Sequence, residues 1–403
     1  MSAPVLEPEV ERRSAGVYFP AMDGYRALAA LSVLLAHVAL FSGLVNRNHT
    51  LAPYLARADV GVSVFFLLSG FLLYRPFVGA RLSGRPPGRL GSYARRRALR
   101  ILPAYWFALT IVAFVLHAPG FHAPHSIIAH YLLLHPYDVD QVTGGPIQQS
   151  WTLATEVAFY VFLPVWAWIL SRGKRAPEKQ IRYEVLALVA LWVGAMAIKT
   201  YLAARLGHQV ATHQITQDTA NEKFGLWGAW LPFRIDEFAL GMGMAVASEW
   251  VVLRGIRMPS WTKKATGTLA CWAVAAALFW FTSTQLDLRP VPIFTPRQAL
   301  VTRMLYAFIA LFLLLPAVFG PAGRGIVHSI FSNRLMLWLG LISYGIYIWH
   351  EAWQDKYLSW TGDKPFLSPF WPMLGATLAL TLVSASVSWY LVEKPALRFK
   401  GRR

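Results

Sequence analysis

Histidine, arginine and carboxylate side chains set inside long apolar runs are the residues of this chain that could do chemistry. His37 lies in such a run and can act as a neutral imidazole that takes a proton from a hydroxyl. Arg26 precedes it by eleven residues. On a helix that spacing comes within about 20° of a whole number of turns, so both side chains share one face, about 16 Å apart along the axis. Asp23-Gly24-Tyr25 opens the same run. A second group is Arg95-Arg96-Arg97-Ala98-Leu99-Arg100. Arg97 and Arg100 are neighbours on a helix face, and with Arg96 they offer planar forks that suit phosphate oxygens. The competing reading of this cluster is a topology signal that also touches anionic lipid.

An ionisable group in a membrane span is a functional candidate by default, because it costs a few kcal/mol to insert. Glu156 lies five residues into the run that starts at Trp151. Arg234 stands beside Asp236 and Glu237, and Arg234 and Glu237 can pair at i, i+3. The segment from Ser343 through Tyr344, Tyr347 and His350 to Glu351 closes a later run, where its aromatic residues also suit an interfacial belt. Pro395, after Glu393, is expected to stop the last helix. His117, His122, His125, His130 and His135 cluster near one loop without a metal-ligand spacing, which predicts a solvated loop and no metal. Cys271, the one cysteine, excludes a disulfide framework and reads as a small buried hydrophobe.

The elements that must position these groups follow from composition. The chain has 403 residues, 56% apolar and only 14% charged. Soluble chains carry about 25% charged residues, so this is an integral membrane protein rather than a disordered or nucleic-acid-binding one, despite a net charge of +18. Ten runs approach the roughly 20 apolar residues a spanning helix needs. They are Asp23–Leu44, Val60–Val78, Leu99–Leu116, Trp151–Leu170, Val185–Leu206, Trp230–Val252, Ala265–Thr284, Gln298–Phe319, Leu335–Trp353 and Phe370–Val392. Lys and Arg in alternate loops number 26 on one side and seven on the other. The positive-inside bias then places both termini in the cytoplasm of an all-α, polytopic bundle. The organisation expected is a cytoplasmic segment 1–22, a ten-span domain 23–392 and a basic tail 393–403. The first run lacks a clean cleavage site, which argues against a secretory signal, and matching pairs of broken helices are not expected.

Taken in order, these segments resemble the acyltransferase 3 family of membrane O-acyltransferases. The likeness rests on Asp23-Gly24-Tyr25-Arg26 with His37, on Arg97-x-x-Arg100-Ile101-Leu102-Pro103, and on Trp151-Thr152-Leu153 through Glu156 to Tyr160. Arg234 to Gly241, Ser343-Tyr344 to His350, and Glu393-x-Pro395 complete the series. Tyr25 replaces a leucine usual in the first motif, and Thr155 precedes a single glutamate where two are common. The resemblance implies transfer of an acyl group, acetyl above all, from cytoplasmic acyl-CoA to a hydroxyl of a sugar, glycolipid or other envelope acceptor. It implies a multi-pass protein of the bacterial cytoplasmic membrane with no metal and no nucleic-acid partner. Arg96, Arg97 and Arg100 would hold the CoA phosphates. His37 would serve as general base or, in a two-step route, carry the acyl group, with Asp23, Arg26 and Glu156 in support. Trp151, Arg234, Glu237, Tyr347 and His350 would bind the acceptor. The chain stops soon after the last span, so the esterase-like domain fused to some members is expected to be absent. Specificity then falls to the spans, the outer loops or an accessory envelope protein. Two rival readings stay open: acylation of a small secondary metabolite such as a macrolide, and a proton-coupled transporter or flippase.

Overall fold

The computed structural model describes residues 19–401 except 49, 87, 119–120, 122–123, 139–144, 174, 287–294 and 322, so most of segment 1–22, His122 and the last two tail residues lie outside it. Every one of the ten apolar runs falls on a helix. The principal helices are α1 Pro20–Phe41, α2 Gly61–Leu82, α3 Leu90–Thr110, α4 Pro124–Tyr131, α5 Trp151–Ser171, α6 Pro177–Ala211 and α7 Gln217–Trp227. They continue as α8 Ile235–Leu253, α9 Ala265–Thr284, α10 Pro296–Phe319, α11 Gly325–Phe331, α12 Arg334–Thr361 and α13 Phe370–Ser388. No strand occurs among the described residues.

Local chemistry sets the helix ends. Pro20, Pro177 and Pro296 occupy first turns, where a missing N–H leaves no bond unmade. Thr295 and Gln298 form a reciprocal capping box at α10, and Asn333 accepts from Met336 N at 3.0 Å to cap α12. Pro395 does not stop the last helix. The helical path continues through a five-residue π turn, Trp389–Glu393, and Pro395 sits in the opening turn of the short helix Lys394–Leu397, where its ring is tolerated.

Among the described residues, eight helices are long and apolar enough to cross a membrane, or nine if α11 and α12, bent by 62° at a short break, form one span. The run Trp230–Val252 is the exception, because α8 carries Asp236, Glu237 and Glu249. Each of these acids meets a cation. Lys199 Nζ lies 2.6 Å from Asp236, Arg234 lies 2.8 Å from Glu237, and Arg75 lies 2.7 Å from Glu249. Paired and hydrogen-bonded charges are the kind a low-dielectric interior accepts. Val161, Leu186, Trp371 and Leu391 instead face outward and are more than half exposed, as a surface solvated by lipid requires. Cys271 on α9 is half-buried rather than buried.

Two contacts fix the centre of the bundle. α2 and α8 pack along one another, and α12 packs between α1 and α13. Glycine brings α2 and α8 together. A Cβ on Gly70 would lie 2.3 Å from the Phe238 carbonyl oxygen, and one on Gly241 would lie 2.2 Å from that of Leu67. Small residues facing each other let helix backbones approach this closely in a membrane. Gly241→Val should therefore destabilise the protein by about 1–3 kcal/mol, the range for overpacking, whereas Gly243→Ala, whose Cβ would meet nothing within 4 Å, should be neutral. Thermal unfolding of both variants in detergent checks this, and equal midpoints would remove the close-packing argument.

Candidate active site

α1 carries His37 and α12 carries the consecutive pair His350 and Glu351, so the packing of these two helices assembles a three-residue cluster. His37 Nδ1 lies 2.7 Å from Glu351 Oε1 and 2.8 Å from His350 Nε2. The two imidazoles stack with centroids 5.0 Å apart. His350 Nδ1 faces the Ile346 carbonyl at 3.2 Å, so that nitrogen is the N–H donor and Nε2 keeps its lone pair. His37 Nδ1–H then donates to Glu351, which leaves His37 Nε2 as the basic nitrogen. A carboxylate that orients an imidazole and stabilises its protonated form is the standard support for a histidine base. Glu351 is itself held by the Gln149 backbone N–H, and Gln149 Nε2 donates to the carbonyls of Tyr347 and Ile348 at 3.0 and 2.8 Å. His37 keeps 24% of its side chain exposed.

A cavity runs from the arginine-rich face toward this cluster. Arg26, Arg97, Arg100, Glu156, Tyr160 and Tyr347 are among its walls, and it encloses about 960 Å³, part of it open to solvent. The three arginines come from α1 and α3. Arg26 is held by Asp23 at 3.1 Å, and Arg100 lies 3.7 Å from Glu393, with its guanidinium over Trp389. Arg97 sits over the Tyr160 ring, with a buried Nε that has no hydrogen-bond partner. Arg96 points elsewhere. It is exposed, donates to Ser92 and does not line the cavity. Glu156 accepts from Ser69 and Tyr160 inside this same cavity, alongside the arginines rather than beside Arg234.

Arg234 and Trp151 line a second cavity on the opposite face. It encloses about 1,200 Å³, and Arg57, Asp59, Arg303 and Tyr306 also border it. The Arg234 guanidinium lies 5.1 Å from the Trp151 ring. Its partner Glu237 is fully buried and supports Arg234 from behind. Val62 borders both cavities, which marks α2 as their shared wall. The histidine cluster lines neither cavity itself but has a neighbour in each: Tyr347 of the first lies 5.8 Å from His350 ring to ring, and Asp59 of the second is within electrostatic reach of His37. His350 thus belongs with His37, and Tyr347 with the first cavity, where Thr152 donates to its hydroxyl at 3.0 Å.

Several of these partners escape a reading of the sequence. Glu351 was visible as an acid at the end of a run, but its tie to His37 joins positions 313–314 apart in the chain. Gln149, Arg57, Asp59 and Arg303 give no local signal at all. Of the loop histidines, His117 and His125 are exposed as a solvated loop requires, but two are not. His130 and His135 are buried and stack at 4.5 Å, and His135 lies 3.0 Å from Ser150 Oγ.

All of this describes a polytopic membrane protein with a carboxylate-supported histidine between a basic cavity and a polar one. The chain belongs to the family described as Acyltransferase domain, which it matches over residues 19–393. It is 26% identical to YrhL of Bacillus subtilis over 96% of this chain and 56% of that protein. It is 23% identical to the peptidoglycan O-acetyltransferase OatA of Listeria monocytogenes over 94% of this chain and 56% of OatA. The acyltransferase MdmB of Streptomyces mycarofaciens is 24% identical over 96% of this chain and 94% of MdmB. The chain therefore spans about half the length of YrhL and OatA. No solved structure matches it.

Burial, and then the neighbouring His130, push the His135 imidazole down from 6.5 to about 3, outside the spanning helices. The unfolded imidazole binds a proton near pH 6.5 while the folded one stays neutral, so stability should fall as pH drops from about 6.5 toward 3. For one proton the slope approaches about 1.4 kcal/mol per pH unit. Midpoints of thermal unfolding between pH 7 and 5 should show the fall in the wild type and a flatter profile in His135→Gln. Parallel profiles would rule the pair out as its source.

Proposed function

We propose that this protein transfers an acyl group, acetyl most simply, from acyl-CoA to a hydroxyl of a sugar, glycolipid or other envelope acceptor. The observation that carries this reading is the His37–Glu351 pair, set where a cavity walled by three arginines approaches one walled by Trp151 and polar side chains. Family membership and the O-acetyltransferase relatives support it over a proton-coupled transporter. The setting is a bacterial cytoplasmic membrane, with the donor entering by the basic face and the acceptor by the other.

The chemistry follows from the geometry. Arg97, which lacks a counter-ion, and Arg100 and Arg26 bind the phosphates of CoA, and the pantetheine arm extends along the cavity past Glu156 and Tyr160. His37 Nε2 takes the proton of the acceptor hydroxyl, with Glu351 stabilising the imidazolium. The oxygen attacks the thioester carbonyl, the C–S bond breaks, and the departing thiolate recovers the proton from His37. An ester and free CoA result, with no net proton change. Direct transfer needs no covalent intermediate; a two-step route would leave the acyl group on the enzyme between half-reactions.

Purified protein incubated with radiolabelled acetyl-CoA and acceptor tests both parts. Release of CoA should be lost in His37→Ala and reduced about 10²-fold or more in Glu351→Gln, with little change in KM. Full release by an inserted, folded His37→Ala protein would falsify the central role of His37, and label retained on the wild type alone would establish the two-step route. Arg97→Ala or Arg100→Ala should raise KM for acetyl-CoA by about tenfold or more, since a charge-assisted hydrogen bond is worth about 1.5–3 kcal/mol. Unchanged acetyl-CoA affinity in both variants would return the cluster to a topology role.

A further inference from the structure

Arg303 is a cation that the second cavity holds without a counter-ion. It projects from α10, half-buried, with its guanidinium 5.3 Å from the centre of the Phe224 ring. Its Nη1 is buried and makes no hydrogen bond, and it forms no ion pair among the described residues. The acids within electrostatic reach are committed elsewhere. Asp59 accepts from the Tyr306 hydroxyl at 2.6 Å, Asp236 is held by Lys199 at 2.6 Å, and Glu237 by Arg234 at 2.8 Å. Glu222 stands exposed on the rim and makes no ion pair with Arg303. Arg57, the remaining cation of the wall, hydrogen-bonds Tyr306.

Gly228 leaves room for this guanidinium where it stands. A Cβ there would lie 2.2 Å from Nη1 and 2.3 Å from Nη2 of Arg303, so a side chain at 228 would push the flexible fork aside. The carbonyl of the same residue accepts from Arg234 Nε at 2.8 Å. One backbone position therefore admits two guanidiniums close together, facing a cavity that also presents the Trp151 ring and the Asn221 amide. Two neighbouring cations, one of them unpaired and partly desolvated, favour an incoming anion, and a guanidinium fork matches the paired oxygens of a carboxylate or phosphate. Trp151 and Asn221 add an apolar face and an amide of the kind that sugar rings and hydroxyls contact.

We infer that this cavity selects an acceptor bearing an oxyanion, a carboxylate or a phosphate on a sugar, through Arg303, with Gly228 as the residue that leaves room for it. The inference rests on the reading of the second cavity as the acceptor site. Arg303 lies apart from the His37 cluster, so its contribution is to acceptor choice rather than to the chemical step.

The test is calorimetric titration of the purified full chain, in a phosphate-free detergent, with methyl glucuronoside, glucose 6-phosphate and methyl glucoside. The charged sugars, or one of them, should bind at least tenfold tighter than the neutral one, and which of them does so identifies the oxyanion. Arg303→Gln should lose the preference and Arg303→Lys should keep part of it. Gly228→Ala, which keeps every charge, should lose it by displacing the fork. Equal affinities in the wild type, a preference that survives in Arg303→Gln, or no binding of any of the three sugars would overturn the inference. The acyltransferase reading fails separately, because His37→Ala should keep the preference while losing CoA release.

Discussion

A charge inside an apolar bundle must meet an opposite charge, a web of hydrogen bonds or a ligand, and that constraint orders much of this structure. α8 shows its structural side: three acids on one helix, each answered by a cation from α6, from α2 or from its own first turn. Tyr74, Arg81 and Glu184 form another such knot between α2 and α6. These pairs fix helix register and account for why a helix too charged to pass as a simple span is nonetheless packed at the centre. Where the answering charge is missing, the same constraint points outward. Arg97 in the first cavity and Arg303 in the second each keep a buried nitrogen without a hydrogen bond and form no ion pair among the described residues.

The His37 cluster obeys the constraint in a third way. Glu351 gives His37 a hydrogen-bond acceptor and a countercharge, and Gln149 gives Glu351 a donor, so the imidazole is oriented from behind while its other nitrogen stays available. The pairs on α8 set charge directly against charge, whereas His37 meets its carboxylate through Nδ1 alone. Under the proposed function, the other ring nitrogen is the one that would act as base.

Much of this frame was legible in the sequence because it depends on local periodicity. Apolar length gave ten helices, charge asymmetry gave a basic face, and an eleven-residue spacing put Arg26 and His37 on one side of α1. Arg97 and Arg100 both border one cavity wall, while Arg96, which by helical spacing lies about as near Arg100 as Arg97 does, is drawn away by its hydrogen bond to Ser92. What stayed hidden depends on which helices touch. Lys199 and Asp236 belong to different helices, His37 and Glu351 to nearly opposite ends of the chain, and His130 and His135 are buried by a segment whose path no periodicity records.

The placement of the base also bears on how a reaction could join two faces of a membrane. His37 lies about 16 Å along α1 from Arg26, by the rise of a helix, so phosphates held at the basic mouth leave a reach that an extended pantetheine-like arm can cover. Under the proposed function the acceptor would not need to cross the bilayer, because the second cavity lies across the α2 wall from the first. Only the acyl group would then move between compartments. A single proton would pass from hydroxyl to imidazole to thiolate with none released to solvent, so the buried site would require no separate proton path. Vectorial delivery would follow from the position of one oriented histidine rather than from a change in the shape of the bundle.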